Sequence, residues 1–270
     1  MPPRRGRLRM SGLHVHTLGR GPDLVLLHGW AMHSGVFAAL AGRLSSRFTL
    51  HLVDLPGHGH SRDAATPLAL EPVVDALAGR VPGAIWAGWS LGGLFALHAA
   101  ATRPDAVAGL AMLCASPRFV RGGDWPLGMS AEIFRGFADG LRRDYRATLE
   151  RFIALEAFGS DDARHEIRVL REEVFARGEP AAAVLADGLG LLEHSDLRET
   201  LDTLPMPTLW LAGRRDRLVD PRAMRAAATQ VADAEVMVVE HAGHAPFLTH
   251  ADAVADALDR LAARVGGGAR

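Results

Sequence analysis

The sequence contains no lysine and no asparagine, and all 30 of its basic side chains are arginines. The absence of lysine excludes a phosphate-binding loop of the Walker A type, a Schiff-base lysine and a Ser-Lys dyad. The absence of asparagine excludes a Cys-His-Asn triad. Any nucleophilic catalysis by this chain must therefore use other residue types.

Cysteine content and net charge further narrow the classes of protein to which this chain can belong. Cys114 is the single cysteine, so an internal disulfide is excluded and a reducing compartment is compatible with the sequence. The formal net charge of −1 leaves no basic footprint for nucleic acid or for an anionic membrane surface. No apolar segment of signal-peptide length follows the basic start MPPRRGRLRM. We therefore expect a cytoplasmic protein with neither a nucleic-acid nor a membrane partner.

Short β-rich segments alternate with longer helical patterns, which predicts an α/β fold with a mostly parallel sheet flanked by helices. Several strand segments are continuous apolar runs, as expected for strands buried on both faces. The predicted strands are 23–27, 48–53, 84–88, 107–113, 207–212 and 235–239. The predicted helices are roughly 71–80, 91–102, 222–231 and 251–264.

One long segment departs from this alternation. Residues 121–200 show helix-like patterns such as SAEIFRGFADGLRRDY and no good strand. Such a segment is too long for a single crossover between parallel strands, and open α/β sheets place their sites on loops at the carboxyl ends of strands. We therefore expect a core formed by residues 1–120 and 201–270, with a helical cap inserted at 121–200.

The segment AIWAGWSLGGLF places one hydroxyl, that of Ser90, within an apolar run. Gly88 to Gly92 have the form G-x-S-x-G, directly after a predicted strand and directly before a predicted helix. This context predicts a nucleophile elbow, a tight turn that presents the serine hydroxyl above the sheet. Glycines remove Cβ atoms where strand and helix approach, and the helix N-terminus favours negative charge. Ser90 is therefore the candidate nucleophile.

A serine nucleophile needs a base, and the base needs an orienting group. With this elbow the acid and then the histidine follow in the chain, each after a late strand. The loop AGRRDRLVD offers Asp216 and Asp220, and we favour Asp216 because Asp220 precedes a proline and is typical of a helix N-cap. The segment EHAGHAPF offers His241 and His244, and we favour His244 because His241 adjoins the strand.

The oxyanion of the transition state needs two N–H donors. Leu91, the residue after the nucleophile, supplies one, and the loop LVLLHGWAM supplies the second from Trp30. We expect His28 to hold this loop in place rather than to act as a base. Asp54 and His58, in VDLPGHGHS, are predicted to form a turn that supports the site and are given no catalytic role.

Together LVLLHGW, FTLHLVDLPGHGHSR, AIWAGWSLGG, LERFIAL and HAGHAPFLTH resemble the α/β-hydrolase superfamily over nearly the whole chain. The sequence is most similar to the pimeloyl-[acyl-carrier protein] methyl ester carboxylesterases of biotin synthesis. Trp30 and Trp89 are more specific to that group than the triad is. The resemblance implies an α/β-hydrolase fold. Serine at the elbow, where some relatives have aspartate, argues against an epoxide hydrolase or a haloalkane dehalogenase.

The resemblance also implies a substrate, an acyl chain with a methyl ester at one end and a carrier-protein thioester at the other. Only geometry spares the more labile thioester, which must stay outside while the ester reaches Ser90. The residues implied to bind substrate are Trp30, Trp89, Phe152, Ile153, Ala154, Leu155 and Glu156. Phe134 and Phe137 are further candidates for the wall of an apolar slot, or plain core residues.

Carrier proteins are acidic, so arginines are expected near the mouth of the slot. Arg164, Arg168 and Arg171 have a spacing that places them on one helix face, and Arg151 lies earlier in the cap. These four are the candidate carrier contacts. Because residues 142–171 also contain many acidic residues, a salt-bridged surface is the alternative interpretation.

The resulting hypothesis is a serine carboxylesterase that acts through an acyl-enzyme, as a monomer, with no metal and no cofactor. The alternatives within the fold are a broad-specificity short-chain carboxylesterase and a carbon–carbon bond hydrolase. A ligand-binding receptor on the same scaffold is the non-enzyme alternative.

Overall fold

A seven-stranded sheet forms the centre of the structure, which is a computed structural model describing residues 12–268. The basic start of the chain lies outside the described residues. The strand order is β1-β3-β2-β4-β5-β6-β7, and only β1, which pairs with β3, is antiparallel to its neighbour. The strands are β1 Val15–Gly19, β2 Asp23–Leu27, β3 Thr49–Val53, β4 Ala84–Trp89, β5 Val107–Leu113, β6 Thr208–Gly213 and β7 Ala234–Val239.

Helices follow most of the strands. They are α1 Ala38–Leu44, α2 Leu70–Ala78, α3 Leu91–Thr102, α4 Ala131–Arg143, α5 Tyr145–Glu156, α6 Ala163–Ala176, α7 Ala182–His194, α8 Pro221–Ala228, α9 Pro246–Thr249 and α10 Ala251–Gly268. Short 3-10 turns cover Ser34–Phe37, Gly59–Ser61, Pro104–Ala106 and Arg198–Thr203. None of the described helices is both long and apolar enough to cross a membrane.

Helices cover both faces of the central strands. On β5, Gly109 and Met112 lie on opposite faces because side chains alternate along a strand. A Cβ atom at Gly109 would lie 2.8 Å from Val265 of α10, whereas the Met112 methyl group would lie 3.3 Å from a Cβ atom at Gly93 of α3. The continuous apolar runs of β4, β5 and β6 are accordingly buried almost throughout. The prediction of an α/β fold with a mostly parallel sheet is confirmed.

The segment between β5 and β6 contains the four helices α4 to α7. It contacts loops that follow the carboxyl ends of several strands. Trp30, after β2, donates its indole N–H to Leu185 O (2.8 Å), and His244, after β7, donates its backbone N–H to Glu156 O (3.2 Å). We propose that residues 121–200 act as the cap expected from the sequence.

Candidate active site

Ser90 occupies the turn between β4 and α3 with a strained backbone, φ +53° and ψ −119°. Residues with a Cβ atom rarely adopt a positive φ, and such strain concentrates at functional sites. The Ser90 backbone N–H donates to Leu113 O at the end of β5 (3.1 Å), which holds the turn against the neighbouring strand. The hydroxyl is thereby placed at the N-terminus of α3.

The glycines on either side of Ser90 permit this turn. A Cβ atom at Gly88 would lie 2.5 Å from Gly93 N, and one at Gly92 would lie 2.6 Å from the carbonyl carbon of Leu27. Real Cβ atoms do not approach backbone atoms so closely, and the backbone cannot yield as a flexible side chain would. Strand β4, strand β2 and helix α3 can therefore meet beneath Ser90 only with glycine at both positions.

Asp216 and His244 form a buried hydrogen-bonded pair next to the turn. His244 Nδ1 lies 2.8 Å from Asp216 Oδ2, and both side chains are fully buried. The other carboxylate oxygen of Asp216 accepts backbone N–H groups from Leu218 (2.8 Å) and Val219 (2.9 Å). These three bonds orient the carboxylate and favour a proton on His244 Nδ1, which leaves the Nε2 lone pair free to act as a base.

His244 lies against the residue that precedes Ser90. Trp89 donates its indole N–H to His244 O (2.8 Å), and the two rings are 5.7 Å apart. His244 Nε2 is buried and has no hydrogen-bond partner among the described residues, so the Ser90 hydroxyl does not donate to it in this structure. Catalytic hydrogen bonds often tighten only in the complex with substrate.

Asp220 and His241, the alternatives not favoured in the sequence analysis, make their contacts elsewhere. Asp220 accepts the backbone N–H of Arg222 (2.8 Å), caps α8 and forms an ion pair with the Arg222 guanidinium. The His241 side chain is largely exposed, and its Nδ1 lies 2.9 Å from Asp161 Oδ2. Neither residue joins the His244–Asp216 pair.

The loop after β2 lies against the turn, as the predicted oxyanion site requires. A Cβ atom at Gly29 would lie 3.2 Å from Ser90 Cβ, and Leu91 is the first residue of α3. His28 accepts the Leu55 backbone N–H at Nε2 (2.9 Å) and contacts Gly29 O through Nδ1 (2.8 Å). Burial lowers the pKa of His28 to about 3, so the ring is neutral and Nδ1 donates. His28 thus joins two loops. The pairing of the Trp30 and Leu91 N–H groups as oxyanion donors stays a prediction.

An aromatic cluster lies between the cap and Trp30. The Phe152 ring is 4.6 Å from Trp30 and 5.6 Å from Phe137, in edge-to-face arrangements. Phe134 is buried on the same helix as Phe137. Trp89 instead packs against Phe247 (5.0 Å). This cluster is the candidate for the apolar wall of the predicted slot, and that role stays a prediction.

The segment 152–156 does not face one way. Phe152, Ile153 and Glu156 are buried, Leu155 is half-buried, and Ala154 is exposed. The period of a helix accounts for this, since Ala154 lies on the face of α5 opposite the core. The structure therefore does not bring Ala154 to the site. Ser90 is only 4 % exposed.

Two buried acidic residues, Glu156 and Glu166, lie close to Gly243 and His244. A Cβ atom at Gly243 would lie 3.1 Å from the backbone carbonyl oxygen of Glu156 and 3.6 Å from the carboxyl oxygen Oε2 of Glu166. Neither carboxyl oxygen of Glu156 has a hydrogen-bond partner among the described residues. Burial, with the nearby charges of Asp216 and Glu166, holds the pKa of Glu156 well above its usual value. The environment of Glu156 therefore favours its protonated, uncharged form.

We expect Glu156→Gln to change the pH dependence of stability. Folded protein keeps a proton on Glu156 that the unfolded chain releases above its ordinary pKa. The wild-type free energy of unfolding therefore falls as pH rises through this interval, and the glutamine variant lacks this loss. The melting temperature of the variant relative to wild type should increase from about pH 5 to about pH 8. Glu199→Gln, at an exposed position, is the control; equal differences at both pH values would contradict the expectation.

Arg177 is a residue of the site region that sequence analysis missed. It follows α6 and places Nη1 3.0 Å from Ser34 Oγ and 3.4 Å from the buried Asp54 Oδ2. Burial raises the pKa of Asp54, but the hydrogen bonds from Ser34 and His60, together with nearby charge, outweigh this and lower the pKa to about 2. The charged carboxylate and Arg177 thus join the cap segment to the loop after β3. Nothing in the sequence distinguishes Arg177 from the other arginines of the cap.

The candidate carrier contacts differ in their pairing. All four arginines are exposed. Arg171 forms a two-point ion pair with Glu150, with its shortest contact at 2.6 Å, and Arg168 pairs with Glu172 at 3.3 Å. Arg151 lies over the Phe137 ring at 5.6 Å, and neither Arg151 nor Arg164 has an acidic partner among the described residues. Two of the four positive charges are therefore free to meet an outside partner.

Solved structures share this arrangement of strands and helices. An esterase from Exiguobacterium antarcticum has a TM-score of 0.82 at 22 % identity, covering 92 % of this chain and 94 % of that chain. The enol-lactonase from Burkholderia xenovorans LB400 has a TM-score of 0.81 at 22 % identity, covering 93 % and 96 %. At this identity the likeness shows the fold alone.

Curated relatives are far more similar in sequence. A pimeloyl-[acyl-carrier protein] methyl ester esterase of Xanthomonas campestris pv. campestris is 59 % identical over 93 % of this chain and 99 % of its own length. The protein of the same description from Stenotrophomonas maltophilia is 57 % identical over 93 % of this chain and 96 % of its own. Residues 24–257 match the α/β hydrolase family. The chain therefore belongs to the α/β hydrolase family.

Proposed function

We propose that this chain is a serine carboxylesterase that hydrolyses the methyl ester of pimeloyl-[acyl-carrier protein] in biotin synthesis. The observation that carries the proposal is the 59 % identity, over nearly the full length of both chains, to an esterase described by that activity. The elbow at Ser90 and the buried His244–Asp216 pair supply the groups that ester hydrolysis requires.

In the first half of the reaction, the Ser90 oxygen attacks the ester carbonyl carbon while His244 Nε2 takes the hydroxyl proton. The N–H groups of Trp30 and Leu91 stabilise the oxyanion that forms. The C–O bond to the methoxy group then breaks, and His244 returns the proton, so that methanol leaves and an acyl-enzyme remains. Asp216 holds the ring in the required tautomer and stabilises the imidazolium.

In the second half, His244 removes a proton from water as the water oxygen attacks the acyl-enzyme carbonyl. Collapse of this second intermediate breaks the bond to Ser90, which takes back its proton from His244. The product is the free acid, still joined to its carrier by the thioester. No step requires a metal or an external oxidant.

The aromatic cluster supports selectivity for one end of the substrate. Trp30, Phe137 and Phe152 form an apolar cluster that suits a polymethylene chain, and Ser90 is only 4 % exposed. A slot of this kind holds the ester at Ser90 only when the thioester and carrier stay outside. The position of each group along the slot, rather than its reactivity, therefore explains why the methyl ester is cut in preference to the more electrophilic thioester.

The experiment that tests this function compares a carrier-linked methyl ester with the same acyl methyl ester lacking the carrier. We expect higher kcat/KM for the carrier-linked ester and a product that has lost methanol and kept its thioester, as read by mass spectrometry. Equal kcat/KM for both esters would favour the broad-specificity esterase. Thioester cleavage would exclude the proposed selectivity.

The unpaired arginines provide a sharper prediction about the carrier. Because an acidic carrier meets Arg151 and Arg164 without breaking an existing ion pair, the double variant Arg151→Gln and Arg164→Gln should raise KM for the carrier-linked ester about three- to tenfold. Steady-state kinetics with the free ester should be unchanged. Arg225→Gln, an exposed arginine on α8, is the matched control. A similar rise in KM for both substrates would contradict carrier contact by these residues.

The cytoplasmic location and the monomeric state expected from the sequence stay predictions. Gel filtration with light scattering of the purified chain measures the second directly.

A further inference from the structure

Three side chains of metal-binding type meet where β1 and β3 pair, and none of them belongs to the proposed triad. His14 directly precedes β1, Asp54 directly follows β3, and His60 lies in the 3-10 turn Gly59–Ser61. One potential ligand atom from each residue lies within 4.8 Å of the other two. The two imidazole rings are 4.8 Å apart in an edge-to-face arrangement. We call these three residues the His14–Asp54–His60 cluster.

Backbone hydrogen bonds hold the cluster together. The Asp54 N–H donates to His14 O (3.1 Å), and the His14 N–H donates to Ser61 Oγ (2.8 Å). The His60 N–H donates to Asp54 Oδ2 (2.8 Å). The three residues come from different segments, yet their main chains are fixed relative to one another. A ligand would therefore meet a largely preformed arrangement and would order little backbone on binding.

The imidazoles of the cluster are unengaged, unlike others on the surface. Neither ring of His14 and His60 makes a hydrogen bond to another described residue, whereas His51 and His98 each contact a carboxylate, at 2.7 and 2.8 Å. His60 is exposed, His14 is half-buried and Asp54 is buried. The histidines therefore form the solvent-facing side of the cluster, and the Asp54 carboxylate forms its buried side.

We propose that His14, Asp54 and His60 bind one divalent transition-metal ion of the zinc class, with water in the remaining coordination positions. Imidazole nitrogen and carboxylate oxygen are ligands that such ions accept together. Ligand bonds of about 2.0 to 2.2 Å require donor atoms about 3 to 3.5 Å apart. Metal binding would therefore require a side-chain rearrangement that brings the three donor atoms, now within 4.8 Å of one another, to that spacing. Nothing in the esterase chemistry uses this site.

Arg177 links the proposed metal site to the cap. Its Nη1 lies 3.4 Å from Asp54 Oδ2, so the guanidinium and a bound cation compete for one carboxylate. Two cations near the same oxygen repel one another. By linkage, the ion weakens the contact of Arg177 with Asp54, and that contact weakens metal binding to the same extent. Removing the guanidinium should therefore tighten metal binding.

The test is calorimetric titration of ZnCl₂ into untagged, metal-stripped full-length protein. We expect one saturable site. His14→Gln and His60→Gln should each weaken binding about tenfold or more, because each removes a ligand. His194→Gln, an exposed histidine on α7, is the matched control and should bind as wild type does. Asp54 is left unchanged because its buried carboxylate also holds the loop.

Two further measurements define the site. Co²⁺ in place of Zn²⁺ should give visible absorption bands of a nitrogen–oxygen site that are lost in both histidine variants. Arg177→Met should lower the dissociation constant for Zn²⁺. Wild type without saturable binding, or histidine variants that bind like wild type, would overturn the proposal. So would Zn²⁺ that binds both variants normally and abolishes hydrolysis, since that result would place the ion at Cys114, Asp216 and His244.

Discussion

Replacing Ser90 by alanine is expected to lower kcat for the carrier-linked methyl ester by about 10⁴-fold or more. The variant lacks the oxygen that forms the acyl-enzyme, while the oxyanion donors and the apolar wall remain. Folding should be intact because alanine keeps the Cβ atom that already tolerates φ +53° at this position. The measurement is methanol release at saturating substrate, with the melting temperature as a check on folding.

A control serine separates the loss of the nucleophile from a general effect. Ser195→Ala, at the end of α7 in the cap segment, should keep wild-type kcat. Binding of substrate by Ser90→Ala should persist, so KM and kcat respond differently. Wild-type turnover by Ser90→Ala in a preparation free of other esterases would end the serine mechanism.

The central strands were predictable because their sequences carry an unambiguous physical signal. AIWAGW is apolar throughout, and DLVLL and TLWLAG are apolar after their first residue, as a strand buried on both faces requires. Strand β1 was not predicted, since VHTLG is short, polar and half-exposed at the sheet edge. Its place is set by pairing with β3, a contact between distant residues that no local pattern records.

The residues placed next to one another at the site were also chosen on local grounds. Ser90 was recognised by its glycines, and Asp216 and His244 by their positions after late strands. In each case the residues near the functional side chain in the sequence differ from those of an ordinary core segment or turn. Asp220 was set aside as a helix cap, and the structure gives it that contact.

What could not be predicted depends on the pairing of distant side chains. Arg177 meets Asp54 across 123 residues, and Glu166 reaches the site from a cap helix. The sequence also did not indicate which face of helix α5 each residue occupies. Ala154 was grouped with Phe152, although Ala154 faces solvent. Charge and hydrophobicity are visible in a sequence, whereas the partner of a charge is a property of the fold.

The second large effect is expected from Asp216→Asn, which should lower kcat about 10⁴-fold while the fold persists. Oδ1 of Asp216 accepts the N–H groups of Leu218 and Val219, so the asparagine oxygen must take that position. Its NH₂ group then faces His244 Nδ1 in place of the carboxylate oxygen now 2.8 Å away. An NH₂ donor forces Nδ1 to accept and puts the ring proton on Nε2. His244 then has no lone pair for the Ser90 proton.

Asp220→Asn in the same loop is the matched control, because it alters a helix cap and leaves the His244 tautomer unchanged. We expect it to keep kcat close to wild type. Raising the pH should not rescue Asp216→Asn, since the tautomer is imposed by a neutral amide that does not titrate. Nitrogen NMR of His244 reports the protonated ring nitrogen directly, Nδ1 in wild type and Nε2 in the variant. A proton that remains on Nδ1, or a larger loss of kcat in Asp220→Asn, would transfer the orienting role from Asp216 to another group.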